Sequence, residues 1–163
     1  MEADIKGFFD NVDHDQLVLF IGRRIGDTRM LRMVKRFLKA GVMEEGKMYA
    51  SEEGVPQGGS ISPILSNIYL HYVLDLWFEK GFRRVCDGAA RLIRYADDFV
   101  ACFATRADAE RFDRELSTGL EVEPTKTKVL AFGPDAARRA RREGKKKPET
   151  FDFLGFTHYC SRT

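Results

Sequence analysis

The stretch from Ser62 to about Lys80 constrains the fold more than any other. Ser62-Pro63 reads as a helix start, an N-cap followed by proline at the first helical position. The residues after it are apolar nearly all round a helix: Ile64, Leu65, Ile68, Tyr69, Tyr72, Val73, Leu76 and Trp77. A helix of that kind is expected to be central and buried, so other layers must cover it. The chain offers them. Ala3–Lys6 reads as a short strand, Asp15–Ile25 and Thr28–Ala40 as helices, and Lys47–Val55 as a hairpin after Glu44-Glu45-Gly46. Gly41 suits the end of the second helix. Arg91–Ala96 and Phe99–Phe103 are short strands around Asp97-Asp98. Arg106–Thr118 reads as a helix, Lys126–Phe132 as a strand, residues 134–150 as a polar, basic connector, and Phe151–His158 as a closing strand or strand pair. Strands separated by helices, with hairpins in the middle and at the end, predict an α+β fold: an antiparallel sheet with helices packed on one face.

A chain of 163 residues suits one domain with one core. No apolar run approaches the roughly 18 residues that span a membrane. The N-terminal Met1-Glu2-Ala3-Asp4 is acidic and enters a strand, unlike a secretory signal, so the cytoplasm is the expected compartment. Cys86, Cys102 and Cys160 are too scattered for a metal site or a disulfide framework. The formal net charge is +2, yet residues 138–147 alone carry seven basic side chains against one acidic. Without them 20 basic face 24 acidic residues, so the positive field is expected to be local. The run could contact RNA phosphates or serve as a solvated connector; it has no interleaved aromatics for base stacking.

Three carboxylates stand out only if the topology joins them. Asp4 lies in the first strand, and Asp97 and Asp98 at a hairpin tip 93 residues further on. If the strands are neighbours, the carboxylates share one edge, where their mutual repulsion calls for cations. Hard oxygen ligands suit Mg²⁺, and two such ions can clamp an in-line phosphoryl displacement. Taken singly, an Asp-Asp pair in a turn is as readily plain turn chemistry, and Asp4 a surface group.

Four ordered segments carry a resemblance. Asp4-Ile5-Lys6-Gly7-Phe8-Phe9-Asp10-Asn11-Val12-Asp13-His14, Pro56-Gln57-Gly58-Gly59-Ser60-Ile61-Ser62-Pro63, Arg94-Tyr95-Ala96-Asp97-Asp98-Phe99 and Phe151-Asp152-Phe153-Leu154-Gly155-Phe156 resemble, in order and spacing, palm motifs of group II intron-encoded reverse transcriptases. The resemblance covers essentially the whole chain and implies a reverse-transcriptase palm. It implies an RNA-directed DNA polymerase that adds deoxynucleotides to a primer 3′-hydroxyl and supports intron retrohoming and splicing. Its partners would be an RNA template, here intron RNA, a DNA primer or target, and dNTPs. Its cofactor would be two Mg²⁺ ions, with Mn²⁺ as a substitute.

By the same resemblance Asp4 and Asp97 would be the principal metal ligands, with Asp98 a third acidic group and Ile5 offering its backbone carbonyl. Phe9 would be a steric gate against the ribose 2′-hydroxyl, although one of Phe8 and Phe9 is expected to be core. Gln57 and Gly58 would meet the nucleotide, in what is otherwise an ordinary Gly-rich turn. Lys126 would lie near the triphosphate, where a lone lysine is otherwise a surface residue. Phe153, Leu154 and Gly155 would grip the primer end, as apolar strand residues with a glycine for close backbone approach.

Relative to the family pattern, fingers segments before residue 1 and a thumb or maturase domain after residue 163 would complete the polymerase. The helix near residues 111–120 looks about a turn short. The 163 residues alone are expected to fold poorly or associate, and to extend primers little. Rival readings are a CRISPR-associated or retron enzyme, a non-catalytic RNA-binding maturase remnant, and an RNA polymerase palm. Phe9 argues against the last, because an RNA polymerase must admit the 2′-hydroxyl.

Overall fold

The computed structural model describes residues 1–5, 7–39, 42–44, 47–49, 54–55, 60–120, 127–133, 136–145 and 147–160. In chain order the elements are β1 (Glu2–Asp4), α1 (His14–Gly22), α2 (Thr28–Lys39), β2 (Val42–Glu44), β3 (Lys47–Tyr49), α3 (Ser62–Leu70) and α4 (Leu76–Lys80). After them come β4 (Ala90–Tyr95), β5 (Asp98–Phe103), α5 (Arg106–Gly119), α6 (Ala136–Arg142), β6 (Phe151–Phe153) and β7 (Phe156–His158). Helices thus combine with small antiparallel sheets. The chain divides into two compact units, residues 1–6 with 82–163, and residues 7–81.

The first unit is built on a three-stranded antiparallel sheet in the order β1-β5-β4. Strand alternation puts Phe99, Ala101 and Phe103 on one face, and Asp98, Val100 and Cys102 on the other. Helix α5 covers the aromatic face. Its fully buried Phe112 meets Phe99 at 6.3 Å, Phe103 at 5.2 Å and Phe82 at 5.2 Å between ring centroids. The contacts to Phe99 and Phe82 are edge-to-face and the one to Phe103 is tilted, and edge-to-face pairs add to the area that the rings bury.

The start of α5 is fixed by a polar knot. The Thr105 hydroxyl accepts the Asp108 N–H (3.1 Å) and donates to the Asp108 carboxylate (2.7 Å). That carboxylate, 2% exposed, also accepts the Asp87 N–H at 3.1 Å. Arg111 pairs with it at 3.4 Å, donates to the Val85 carbonyl at 2.6 Å, and lies over the Phe82 ring. Asp108→Ala leaves these donors unanswered, so the chain should lose about 1–3 kcal/mol of stability in a denaturant melt. Asp108→Asn, which keeps an acceptor oxygen, should lose less.

The second unit is helical. Asp13 caps α1 by accepting the Gln16 N–H at 2.8 Å. Helix α1 packs on α2 and α3. The run from Ser62 to Lys80 is continuous but not uniform: a wider π turn at His71–Asp75 separates α3 from α4. Its buried positions include Ser62, Ser66, Leu70, Leu74 and Phe78, a constant spacing of four. On a straight α-helix such a stripe drifts by roughly 160° over the run, and one wide turn brings it back toward a single face.

Several expectations need correction. The 62–80 run is buried along one stripe rather than all round; Ile64 is 61% exposed, and Ile64, Ile68 and Tyr72 line an apolar groove with Phe20, Ile21 and Ile25. The hairpin expected at Lys47–Val55 is formed by β2 and β3, which flank residues 45–46 instead of following them. The strand expected over Lys126–Phe132 is absent from residues 127–132, where only Lys128 forms an isolated bridge. The basic connector holds helix α6. Ala136 and Ala140, four apart and both buried, give α6 an inward face between arginines of good helix propensity. Residues 151–158 form a strand pair, β6 with β7. Among the described residues no helix is long and apolar enough to cross a membrane.

Candidate active site

The sheet joins two of the three carboxylate positions directly. β1 pairs with β5 in the register Glu2↔Val100, Ala3↔Phe99, Asp4↔Asp98. Directly opposed residues in an antiparallel ladder have Cα atoms about 4.5–5.5 Å apart. β4 places Tyr95 on the other side of Asp98, so Asp4, Asp98 and Tyr95 form one row across three strands. Asp98 lies on the face away from α5 and is exposed, as is Tyr95. Ile5, next in chain after β1, is buried.

Asp97 occupies the two-residue turn between β4 and β5 with Ala96. Ala96 has φ +53°, the left-handed region, which costs a residue with a Cβ roughly 1–2 kcal/mol. Arg94 steadies the turn, its guanidinium donating to the Ala96 carbonyl at 2.8 Å. Backbone strain of this kind persists only where its surroundings enforce it, and it clusters at functional sites.

The donors here are carboxylate oxygens, the hard ligands a Mg²⁺ ion takes. Two positions side by side and a third one residue along fit that ion in donor type. The described residues contain no group of three His, Cys, Asp or Glu able to hold a metal, and the Asp4 side chain is not among those described.

In the second unit, Phe8 and Phe9 lie in a short 3-10 turn, Phe8–Asp10, rather than in a strand. Phe8 is buried and Phe9 half-buried, with the rings edge-to-face at 5.6 Å. The expectation that one of the pair is core is met by Phe8. Tyr69 of α3 closes on Phe8 at 6.1 Å; burial, then the Asp13 charge, pushes its phenol pKa up.

Sequence reading missed the strap that holds this turn. The Val55 N–H donates to the Phe9 carbonyl at 2.6 Å, and the Gly54 N–H to the Val12 carbonyl at 2.9 Å. His14, buried at the start of α1, bonds the Gly54 carbonyl through Nε2. Gly54 has φ +86°, and a Cβ there would lie 2.8 Å from the Phe9 carbonyl oxygen and 2.9 Å from that of Asp10. Only glycine fits. The backbone entering Pro56-Gln57-Gly58 is thereby tied to the turn that carries Phe9. A glycine just before that motif was the available signal. Gln57, Gly58 and Lys126 themselves lie outside the described residues.

Phe153 ends β6, half-buried, while Leu154 and Gly155 form the turn to β7. Both turn residues have positive φ, +54° and +78°, the pairing of a type I′ two-residue hairpin. Leu154 is therefore a turn residue and not a strand residue. Gly155 adopts a left-handed conformation with open space beside it. The hairpin region exposes Phe132, Leu154, Phe156 and Tyr159, a large apolar display.

Comparison with known proteins adds an independent line. Residues 1–158 match the family described as Reverse transcriptase (RNA-dependent DNA polymerase). The chain is 48% identical over 80 residues to the group II intron-encoded protein LtrA of Lactococcus lactis subsp. cremoris, covering 47% of this chain and 13% of that protein. It is 36% identical over 147 residues to protein YkfC of Escherichia coli (strain K12), covering 74% of this chain and 39% of that one. A retrovirus-related Pol polyprotein from the type-1 retrotransposable element R2 of Nasonia vitripennis is 30% identical over 159 residues, covering 90% of this chain and 15% of the polyprotein. The chain thus spans well under half the length of each.

Proposed function

The chain belongs to the reverse transcriptase (RNA-dependent DNA polymerase) family and is homologous to group II intron-encoded proteins, and from that premise we propose that it is the catalytic palm of a group II intron-type reverse transcriptase. The reaction is nucleotidyl transfer from a dNTP to a primer 3′-hydroxyl on an RNA template, in the service of intron splicing and retrohoming. The observation that carries the reading is the register Asp4↔Asp98 beside the strained Ala96-Asp97 turn.

In this reading Asp4 and Asp97 hold divalent metal, assisted by Asp98 and the Ile5 carbonyl. Mg²⁺ held there would supply Lewis acidity to the phosphoryl group and favour ionisation of the primer hydroxyl. Phe9, braced edge-on by Phe8, closes the space a 2′-hydroxyl would need. Gln57 and Gly58 contact base and sugar, Lys126 neutralises charge on the triphosphate, and Phe153, Leu154 and Gly155 seat the primer end.

Primer extension on an RNA template by the full-length protein tests this. Mg²⁺-dependent DNA synthesis that EDTA abolishes is the expected result. Phe9→Ala should raise ribonucleotide use relative to deoxynucleotides by roughly 10–100-fold. DNA synthesis with unchanged sugar discrimination in that variant removes Phe9 from the site.

A further inference from the structure

Residues 23–39 hold seven basic side chains and a single acidic one, Asp27. The basic charge of the chain therefore has two centres, this one and residues 138–147. Helix α2 carries five of the seven, Arg29, Arg32, Lys35, Arg36 and Lys39, all exposed, and no acidic residue. Lys35 is engaged, its ammonium 3.2 Å from Asp15 of α1. The other four make no ion pair among the described residues. At about 100° per residue they fall within an arc of about 80°, along roughly 15 Å of helix. Beside that stripe runs an apolar one of Met30, Met33 and Phe37, each more than 40% exposed. The third face, Val34 and Leu38, is buried.

We propose that the exposed face of α2 is a docking surface for double-stranded RNA, engaging its phosphate backbone. The proposal rests on the reverse-transcriptase reading for the presence of RNA, and on α2 for the place. Charge complementarity selects a polyanion: four cations in line face a partner with roughly one phosphate charge per 1.7 Å of duplex axis. Three of the four are arginines, whose planar forks match phosphate geometry. α2 offers no Asn, Gln, Asp or Glu to a base edge, and the deep, narrow major groove of an RNA duplex keeps its arginines from the base edges there, so its contacts are to backbone and shape. Those are the terms on which an RNA duplex, with a wide and shallow minor groove lined by ribose, is recognised. The Met30–Met33–Phe37 ridge can rest on sugar faces beside the phosphate-binding stripe. A basic amphipathic helix can also bind anionic membranes, but such a helix needs its main apolar face free. Here Val34 and Leu38 are already buried.

The test is the salt dependence of binding to a labelled RNA hairpin of about 20 base pairs, measured with the full-length protein by fluorescence anisotropy. The quadruple variant Arg29→Gln, Arg32→Gln, Arg36→Gln, Lys39→Gln keeps helix propensity close to native. It should lower the slope of log K against log [KCl] by about 3–4 and weaken binding near 0.15 M salt by roughly 10²-fold. Arg36→Gln alone should lower the slope by about one. An unchanged slope in both variants overturns the proposal. So does a loss confined to anionic phosphatidylserine vesicles or to a DNA duplex, or one produced only by removing Arg138, Arg139, Arg141 and Arg142. The polymerase reading fails separately: absent extension with an α2-dependent slope leaves this surface standing, and normal extension with a flat comparison removes it alone.

Discussion

Asp97→Asn is expected to lower primer extension by at least about 10³-fold in the full-length protein while leaving RNA affinity within about twofold. Metal-borne charge stabilisation in phosphoryl transfer is worth several kcal/mol, and about 4 kcal/mol is a factor of 10³. The substitution keeps the shape but replaces an anionic, accepting oxygen by an amide NH2 that donates. Asp97 sits in a two-residue turn outside the sheet core, so folding should be little changed. Single-turnover extension at saturating RNA, with anisotropy for binding, separates the two quantities. Asp98→Asn, at the ladder position opposite Asp4, should impair extension less if Asp98 is only the third acidic group. Extension within tenfold of native for Asp97→Asn removes this residue from the chemistry.

Gly54→Ala should cost about 2–5 kcal/mol in a urea melt of the chain, combining a left-handed backbone with overpacking against two carbonyl oxygens. The damage should extend past stability. Gly54 and Val55 hold the Phe9 turn by backbone bonds, and His14 holds Gly54. Loosening the strap should therefore also raise the Michaelis constant for dNTPs in the full-length protein. His14→Ala removes one tether without placing an atom in the gap, so it should act in the same direction and more weakly. A Gly54→Ala protein as stable as native, with unchanged dNTP affinity, contradicts the strap.

Much of this was legible in the residues, and the failures are instructive. The α+β pattern, the helix ranges within about three residues, and the hairpin around Asp97 follow from periodicity and turn chemistry. That β1 lies beside β5 followed from no local signal; it was the condition on which the carboxylates would share an edge, and it appears in the register. Helix α6 was missed because its inward face consists of two alanines, too small to register as a stripe among seven basic residues. The basic face of α2 was missed because Arg29, Arg32 and Arg36 alternate with Met and Phe, so the segment reads as one more amphipathic core helix. Leu154 in a left-handed turn could not be foreseen, since leucine rarely occupies it. The roles assigned to Gln57, Gly58 and Lys126 rest on the motifs that contain them.

The wide turn at His71–Asp75 makes chain length a variable in its own right. Deleting one residue there would let the run close into an unbroken α-helix whose buried positions, then spaced four, four, three and four apart, still fall within about 80° of one another. Phe78 would then stay on the inward side, whereas a deletion elsewhere in the run would turn it by about 100° toward solvent although no side chain had changed. Point substitutions leave that phase intact. The segment works as a vernier between two helical scales: a codon lost within it is absorbed, while one lost beside it reaches further than most replacements of the residues it spaces.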